Sequence, residues 1–103
     1  MNDRTRLPFQ AAVRYGESAP DTYGYACELG EDEIGIYCDR LLKQGTKIKI
    51  EVFVENEFVS LEGEVRWAYR SPEGGVYRTG IKLSTYDETL MKVYKRLKFL
   101  KRR

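Results

Sequence analysis

The feature that most restricts the fold is a hydrophobic period of two through the middle of the chain. Ile48, Ile50, Val52 and Val54 occupy one set of alternate positions, and Lys47, Lys49 and Glu51 the other. Successive side chains of an extended strand leave on opposite faces, so this pattern makes one face apolar and the other solvated. After the polar stretch Glu55-Asn56-Glu57, alternation resumes with Val59, Leu61, Val65, Trp67 and Tyr69 opposed to Ser60, Glu62, Glu64, Arg66 and Arg70. Two such runs joined by a short polar turn predict an antiparallel hairpin with one buried face.

The same period recurs on either side. Phe9, Ala11, Val13 and Tyr15 alternate with Gln10, Ala12 and Arg14, and Tyr23, Tyr25, Cys27 and Leu29 share a second face after a loop over residues 17–22. A short strand is expected over about 33–38. Ser71-Pro72-Glu73-Gly74-Gly75 is a turn by composition, and residues 76–83 read as the next strand. Six short strands separated by turn signals predict a mainly β barrel or sandwich and argue against a parallel α/β sheet.

The last segment changes period. Thr85-Tyr86-Asp87-Glu88 has the form of a capping box, with Thr85 as the cap and Glu88 three residues later. Leu90, Val93, Tyr94, Leu97 and Leu100 then recur at helical spacing, with acids in the first turn and bases in the last. One C-terminal helix over 86–101, packing its apolar stripe on the barrel, is expected. The whole chain of 103 residues has room for a single domain.

Several function classes are excluded or weakened by composition. No histidine is present, which removes the usual general base of nucleophilic triads and a common zinc ligand. Cys27 and Cys38 are expected to be buried thiols, with no metal site or disulfide. No Gly-Lys-Ser/Thr phosphate loop or Gly-x-Gly-x-x-Gly fingerprint occurs. Glu51, Glu62 and Glu64 fall on polar strand faces and read as solvated surface. A non-enzymatic domain without a cofactor is therefore expected. No apolar run is long enough to span a bilayer, and Met-Asn-Asp-Arg lacks a signal peptide's apolar stretch, so the expected location is cytoplasmic. The net charge of +2 hides an acidic middle (Glu28, Glu31, Asp32, Glu33, Asp39) and a basic end from Lys92 onward.

In order, the chain offers Arg6-Leu7-Pro8-Phe9 entering a strand, then Leu29-Gly30-Glu31-Asp32-Glu33-Ile34-Gly35-Ile36. Gln44-Gly45-Thr46 opens the long hairpin, followed by Gly63-Glu64-Val65-Arg66-Trp67 and Tyr77-Arg78-Thr79-Gly80-Ile81-Lys82-Leu83. This ordered set resembles the PilZ domain family over nearly the whole chain. The resemblance implies a six-stranded antiparallel PilZ-type split β-barrel with one C-terminal α-helix. It divides the chain into an N-terminal arm (1–8), a barrel (9–83) and the helix.

The resemblance also implies a ligand, cyclic di-GMP. The family grips it with an Arg-x-x-x-Arg pair on the arm and an Asp/Asn-x-Ser-x-x-Gly turn. A guanidinium suits this dianion because it forks onto phosphate and stacks on guanine. Carried over residue by residue, Arg6 takes the second arginine position and Asn2 the first, with Arg4 as the nearby substitute. Gly30, Asp32 and Gly35 take the three turn positions, so an acceptor-only carboxylate replaces the serine hydroxyl. The candidate binding residues are thus Arg4, Arg6, Gly30, Asp32 and Gly35, of which Arg6 and Gly35 keep the family's residue.

These departures favour a regulatory domain that works through a protein partner in pilus, motility or attachment machinery, with cyclic di-GMP binding weak, altered or lost. The alternative is a working receptor in which Arg4 and Arg6, helped by Arg14, supply the clamp. A second alternative is a barrel that stacks single-stranded nucleic acid on Tyr23, Tyr25 and Tyr37. Alternating tyrosines ordinarily build strand faces and lysine-rich helix faces are ordinarily solvated, so nucleic acid is not the expected partner.

Overall fold

In the computed structural model the described residues are 4–54, 56–72, 74–85 and 87–101, and the side chains of 4–11 and 97–101 lie outside the description. Six strands are followed by one helix: β1 (Arg4–Gly16), β2 (Thr22–Gly30), β3 (Glu33–Cys38), β4 (Lys47–Val54), β5 (Glu57–Arg70), β6 (Tyr77–Leu83) and α1 (Glu88–Lys101). Their order around the sheet is β1-β2-β3-β6-β5-β4, and the barrel closes because β4 pairs back onto β1. Every pairing is antiparallel. β1 starts at Arg4, upstream of Phe9 where the expected strand begins.

The β4–β5 hairpin follows the period of two. Ile48, Ile50, Val52, Val54, Val59, Leu61 and Val65 all face the interior and are buried. Val54 stands opposite Glu57, and Asn56 turns the chain with φ 66°, a left-handed conformation that asparagine tolerates better than most residues. Each such aliphatic side chain contributes roughly 1.5–3 kcal/mol when fully removed from water. Together with Val13, Tyr15, Leu29, Ile34, Ile36 and Ile81 they form one continuous core.

Three register shifts break the alternation elsewhere, one of them between Arg6 and Ala11 in the pairing of β1 with β2. Val65 pairs with Ile81, but Trp67 pairs with Gly80, so Arg66 is an extra residue on β5. A bulge of one residue reverses which face the later side chains occupy. Trp67 and Tyr69 therefore lie on the outer wall, where the regular pattern had placed them with the core. A Cβ at position 80 would fall inside the Trp67 indole, so only glycine lets the ring lie across β6 there. A second shift separates Ala26 from Glu28 in the pairing of β2 with β3. Tyr23 and Tyr25 consequently face solvent, 74% and 52% exposed, while Ala26 and Leu29 point inward. The expectation of one shared face for Tyr23, Tyr25, Cys27 and Leu29 is corrected by that bulge.

The helix begins one residue after its cap, and the cap is Asp87 instead of Thr85. The Leu90 amide donates to Asp87 Oδ1 at 3.0 Å, as an N-cap aspartate requires. Thr85 is used elsewhere, its hydroxyl accepting the Glu62 amide at 3.1 Å. Tyr86 lies outside the described residues. Leu90, Met91, Val93 and Tyr94 join the barrel core, and the Thr89 hydroxyl donates to Glu57 Oε1 at 3.0 Å. The Leu97 and Leu100 side chains of the expected stripe lie outside the description. Among the described residues, no helix is long and apolar enough to cross a membrane.

One polar group is drawn deep into the barrel. The Tyr15 ring is fully buried, and its hydroxyl donates to Asp39 Oδ1 at 2.8 Å while accepting the Asp39 amide at 3.3 Å. Burial first, and the bond to the Asp39 carboxylate second, push the phenol well above its ordinary range. Burial likewise pushes the neighbouring Cys38 thiol up. Cys27 and Cys38 are both buried, reduced thiols.

Candidate functional site

The five sequence-derived positions converge on one end of the barrel through backbone pairing. Arg4 stands opposite Gly30, Thr5 opposite Leu29 and Arg6 opposite Glu28, so the stretch from Arg4 is a paired strand, not a separate arm. Gly35 stands opposite Glu28 on the other side of β2. Asn2 lies outside the described residues, as do the side chains of Arg4 and Arg6. Arg14 is not part of this gathering. It sits opposite Glu51 and Tyr23, forms an ion pair with Glu51 and lies over the Phe58 ring at 5.4 Å.

Asp32 lies in the β2–β3 turn, which is tied to β6 by the Leu83 amide donating to the Asp32 carbonyl at 2.7 Å. Its carboxylate meets Lys82 Nζ at 2.6 Å, with both side chains about half exposed. Water screens a pair this exposed, so its stabilisation is small, but it does hold the carboxylate against β6. Glu33, the next acid, is buried, and its Oε2 has no hydrogen-bond partner among the described residues. The acidic cluster read from the sequence is therefore dispersed: one member is paired with Lys82, one is buried and one, Glu28, is paired with Arg78.

That last pair organises the outer wall. By register, Arg6, Glu28, Gly35, Gly80 and Trp67 form one row across five strands, and Tyr25, Tyr37, Arg78 and Tyr69 form the next. Arg78 leaves β6 beside Tyr37, and its Nη2 meets Glu28 Oε1 on β2, so the pair spans β3. It crosses at Gly35. A Cβ built there would lie 3.3 Å from Glu28 Cβ and 3.4 Å from the same Oε1. The glycine leaves a shallow space on β3, and the ion pair occupies it. With side-chain exposures of 27% and 14%, the two charges are screened less than those of Asp32 and Lys82.

Beside this row the wall is aromatic. Trp67 and Tyr69 are stacked, with ring centroids 5.4 Å apart and planes 21° apart. Tyr69, Tyr25 and Tyr23 are exposed, and Tyr37 is half-buried. On the other flank, an open groove of about 360 Å³ is lined by Lys47, Lys49, Glu62, Glu64, Arg66 and Lys82. Its charges alternate in register, Lys47 against Glu64 against Lys82 and Lys49 against Glu62, as in a solvated cross-strand ladder.

The chain is similar to the structure of the Bacillus subtilis inhibitor of motility MotI/DgrA, with a TM-score of 0.75 and 15% identity. That match covers 100% of this chain and 54% of the other, so the chain spans about half the length of that relative. It is also similar to the PilZ domain with c-di-GMP of YcgR from Escherichia coli, at a TM-score of 0.66 and 13% identity, covering 98% of this chain and 90% of that one. The chain has a PilZ-like fold. No family model and no curated protein sequence matches it. The mainly β, six-stranded antiparallel architecture with a C-terminal helix is thus the one expected from the sequence.

Within this PilZ-like barrel, Arg78, Lys82 and Glu28 are the residues that sequence reasoning left out of the site. A signal for Arg78 was present. Period-two counting along Arg78-Thr79-Gly80-Ile81-Lys82 puts Arg78, Gly80 and Lys82 on the face opposite Ile81. What the count could not supply was the register that sets β6 beside Gly35 and brings Glu28 within reach.

Proposed function

We propose that this chain is a non-enzymatic PilZ-type regulatory domain of cyclic di-GMP signalling that acts chiefly through protein contacts and binds the dinucleotide weakly. The observation that carries this is the Glu28–Arg78 pair lying over Gly35, the position at which the family resemblance puts the closing glycine of the ligand turn. A ligand lying there has to break the chain's own charge-assisted contact before making new ones. At roughly 1.5–3 kcal/mol for a charge-assisted hydrogen bond, forfeiting that contact weakens binding by about tenfold or more.

The protein-contact half is supported by the wall beside it. Exposed Tyr23, Tyr25 and Tyr69 and the stacked Trp67 are residue types that carry interface energy, because they offer large, rigid, amphipathic area. The similarity to an inhibitor of motility supports motility or attachment machinery as the partner class. The alternative, a tight receptor using Arg4 and Arg6, is favoured by one observation, the register that sets both backbones beside the 30–35 turn.

Titration of cyclic di-GMP into isotopically labelled protein, followed by backbone amide shifts, separates the two. Shifts at residues 4, 6 and 30–35 that saturate well above micromolar ligand are expected. Saturation at micromolar ligand or below would establish the receptor instead, and no shift at millimolar ligand would remove cyclic di-GMP from the function.

A further inference from the structure

Arg78 stands in the aromatic part of the outer wall, with Tyr37 beside it on β3 and Tyr69 beside it on β5. Tyr25 continues the row on β2, and Trp67 stacks on Tyr69. A cation among partly exposed rings fits a ligand that carries phosphate and flat bases together. The guanidinium can fork onto phosphate oxygens, and the rings can stack on a base. In this structure the cation is engaged by Glu28, whose carboxylate oxygen lies over Gly35. Glu28 thus holds a negative oxygen where a ligand phosphate would approach Arg78.

We propose that Arg78 is the phosphate-binding residue of this wall and Glu28 its built-in competitor, so that a cyclic purine dinucleotide binds by displacing the Glu28 carboxylate. This rests on the proposed function, which supplies the ligand class. It adds the reason for weak affinity: exchange of one anion for another, not only missing contacts. If the binding-competent arrangement is open a tenth of the time, apparent affinity falls about tenfold, and removing the competitor restores that factor. Gly35 is needed in either state, since a side chain there would crowd the Glu28 carboxylate and any ligand phosphate that replaced it.

The test is a titration of cyclic di-GMP into wild type, Glu28→Gln, Arg78→Gln, the Glu28→Gln/Arg78→Gln double variant and Glu17→Gln. Glu17→Gln changes the charge equally, from an exposed position in the β1–β2 loop at the other end of β1 from Arg4. Glu28→Gln is expected to tighten binding about tenfold or more, and Glu17→Gln less than about twofold, because a distant exposed charge is screened. Arg78→Gln should weaken binding and erase the gain in the double variant. Equal effects of Glu28→Gln and Glu17→Gln, or a gain that survives in the double variant, would overturn the proposal.

Removing one member of a partly buried pair can unsettle the fold, so the wild type supplies a second readout. The Arg78 Nε–H resonance should move on saturation with cyclic di-GMP. A stationary Arg78 signal, with amides of 30–35 shifting, overturns the competitor while the proposed function stands. No shift anywhere in wild type or Glu28→Gln at millimolar ligand overturns both.

Discussion

Between Lys47 and Val65 the barrel wall is regular, whereas the wall made by β2, β3, β6 and the end of β5 carries two register shifts. In the regular hairpin every second side chain is buried, and the outer face carries charge ladders together with the Phe53–Phe58 pair, 5.0 Å between centroids. In the shifted wall the bulges turn Tyr23, Tyr25, Trp67 and Tyr69 outward and set Arg78 and Glu28 within reach across Gly35. The regular side supplies stability from ordinary burial. The irregular side spends some of that regularity on an exposed aromatic and ionic surface, which is where the candidate site lies. Bulges are frequently found where a side chain must be re-aimed.

The comparison can be broken most readily at the regular side. Ile50→Ala removes a fully buried side chain and should cost about 2–5 kcal/mol of stability, read from the urea midpoint. A cost no larger than that of an exposed substitution would mean that the hairpin does not dominate the core.

On the irregular side, Gly80→Val drives methyl groups into the Trp67 indole and should cost about 1–3 kcal/mol. Trp67 is the single tryptophan, so its emission should shift as the ring is displaced from β6. Unchanged emission together with unchanged stability would place the indole elsewhere.

Tyr15 links the two sides, since its strand position pairs with Ile50 and its hydroxyl reaches Asp39 just beyond β3. Tyr15→Phe should cost about 1.5 kcal/mol at neutral pH, at the low end for a bond to a charged group because Asp39 is exposed. The phenol pKa is raised in the fold, so its contribution is intact below about pH 10 and declines above it, as the unfolded chain ionises first. Cys38, also raised, acts in the same direction from a lower onset. Urea midpoints from pH 8 to 11 should fall less steeply for Tyr15→Phe than for wild type, and parallel slopes would contradict the buried phenol.

The smallest effect expected is at the helix start. Asp87→Ala removes the side-chain acceptor of the Leu90 amide and should cost about 1 kcal/mol, with loss of amide protection confined to the first turn. Helix fraying produced by Thr85→Ala instead would restore the cap that the sequence pattern suggested.

Much of this barrel can be read in the sequence because alternation is a local property. Two residues of the same face are two positions apart, and no distant partner is needed to see them. The hairpin on either side of Asn56 was visible that way, and the C-terminal helix through its own local spacing of three and four residues. The candidate site was visible only as a set of motif positions, from which Glu28, Lys82 and Arg78 were missing.

By itself, the sequence determined six strands, a closing helix and the absence of histidine. The tertiary structure decided the phase of Trp67 and Tyr25, the use of Asp87 as the cap and the pairing of Glu28 with Arg78. The physical reason is that a bulge changes the face without changing the composition, and an ion pair between residues far apart in sequence depends on register. Register is set by the closure of the whole barrel, not by any segment within it.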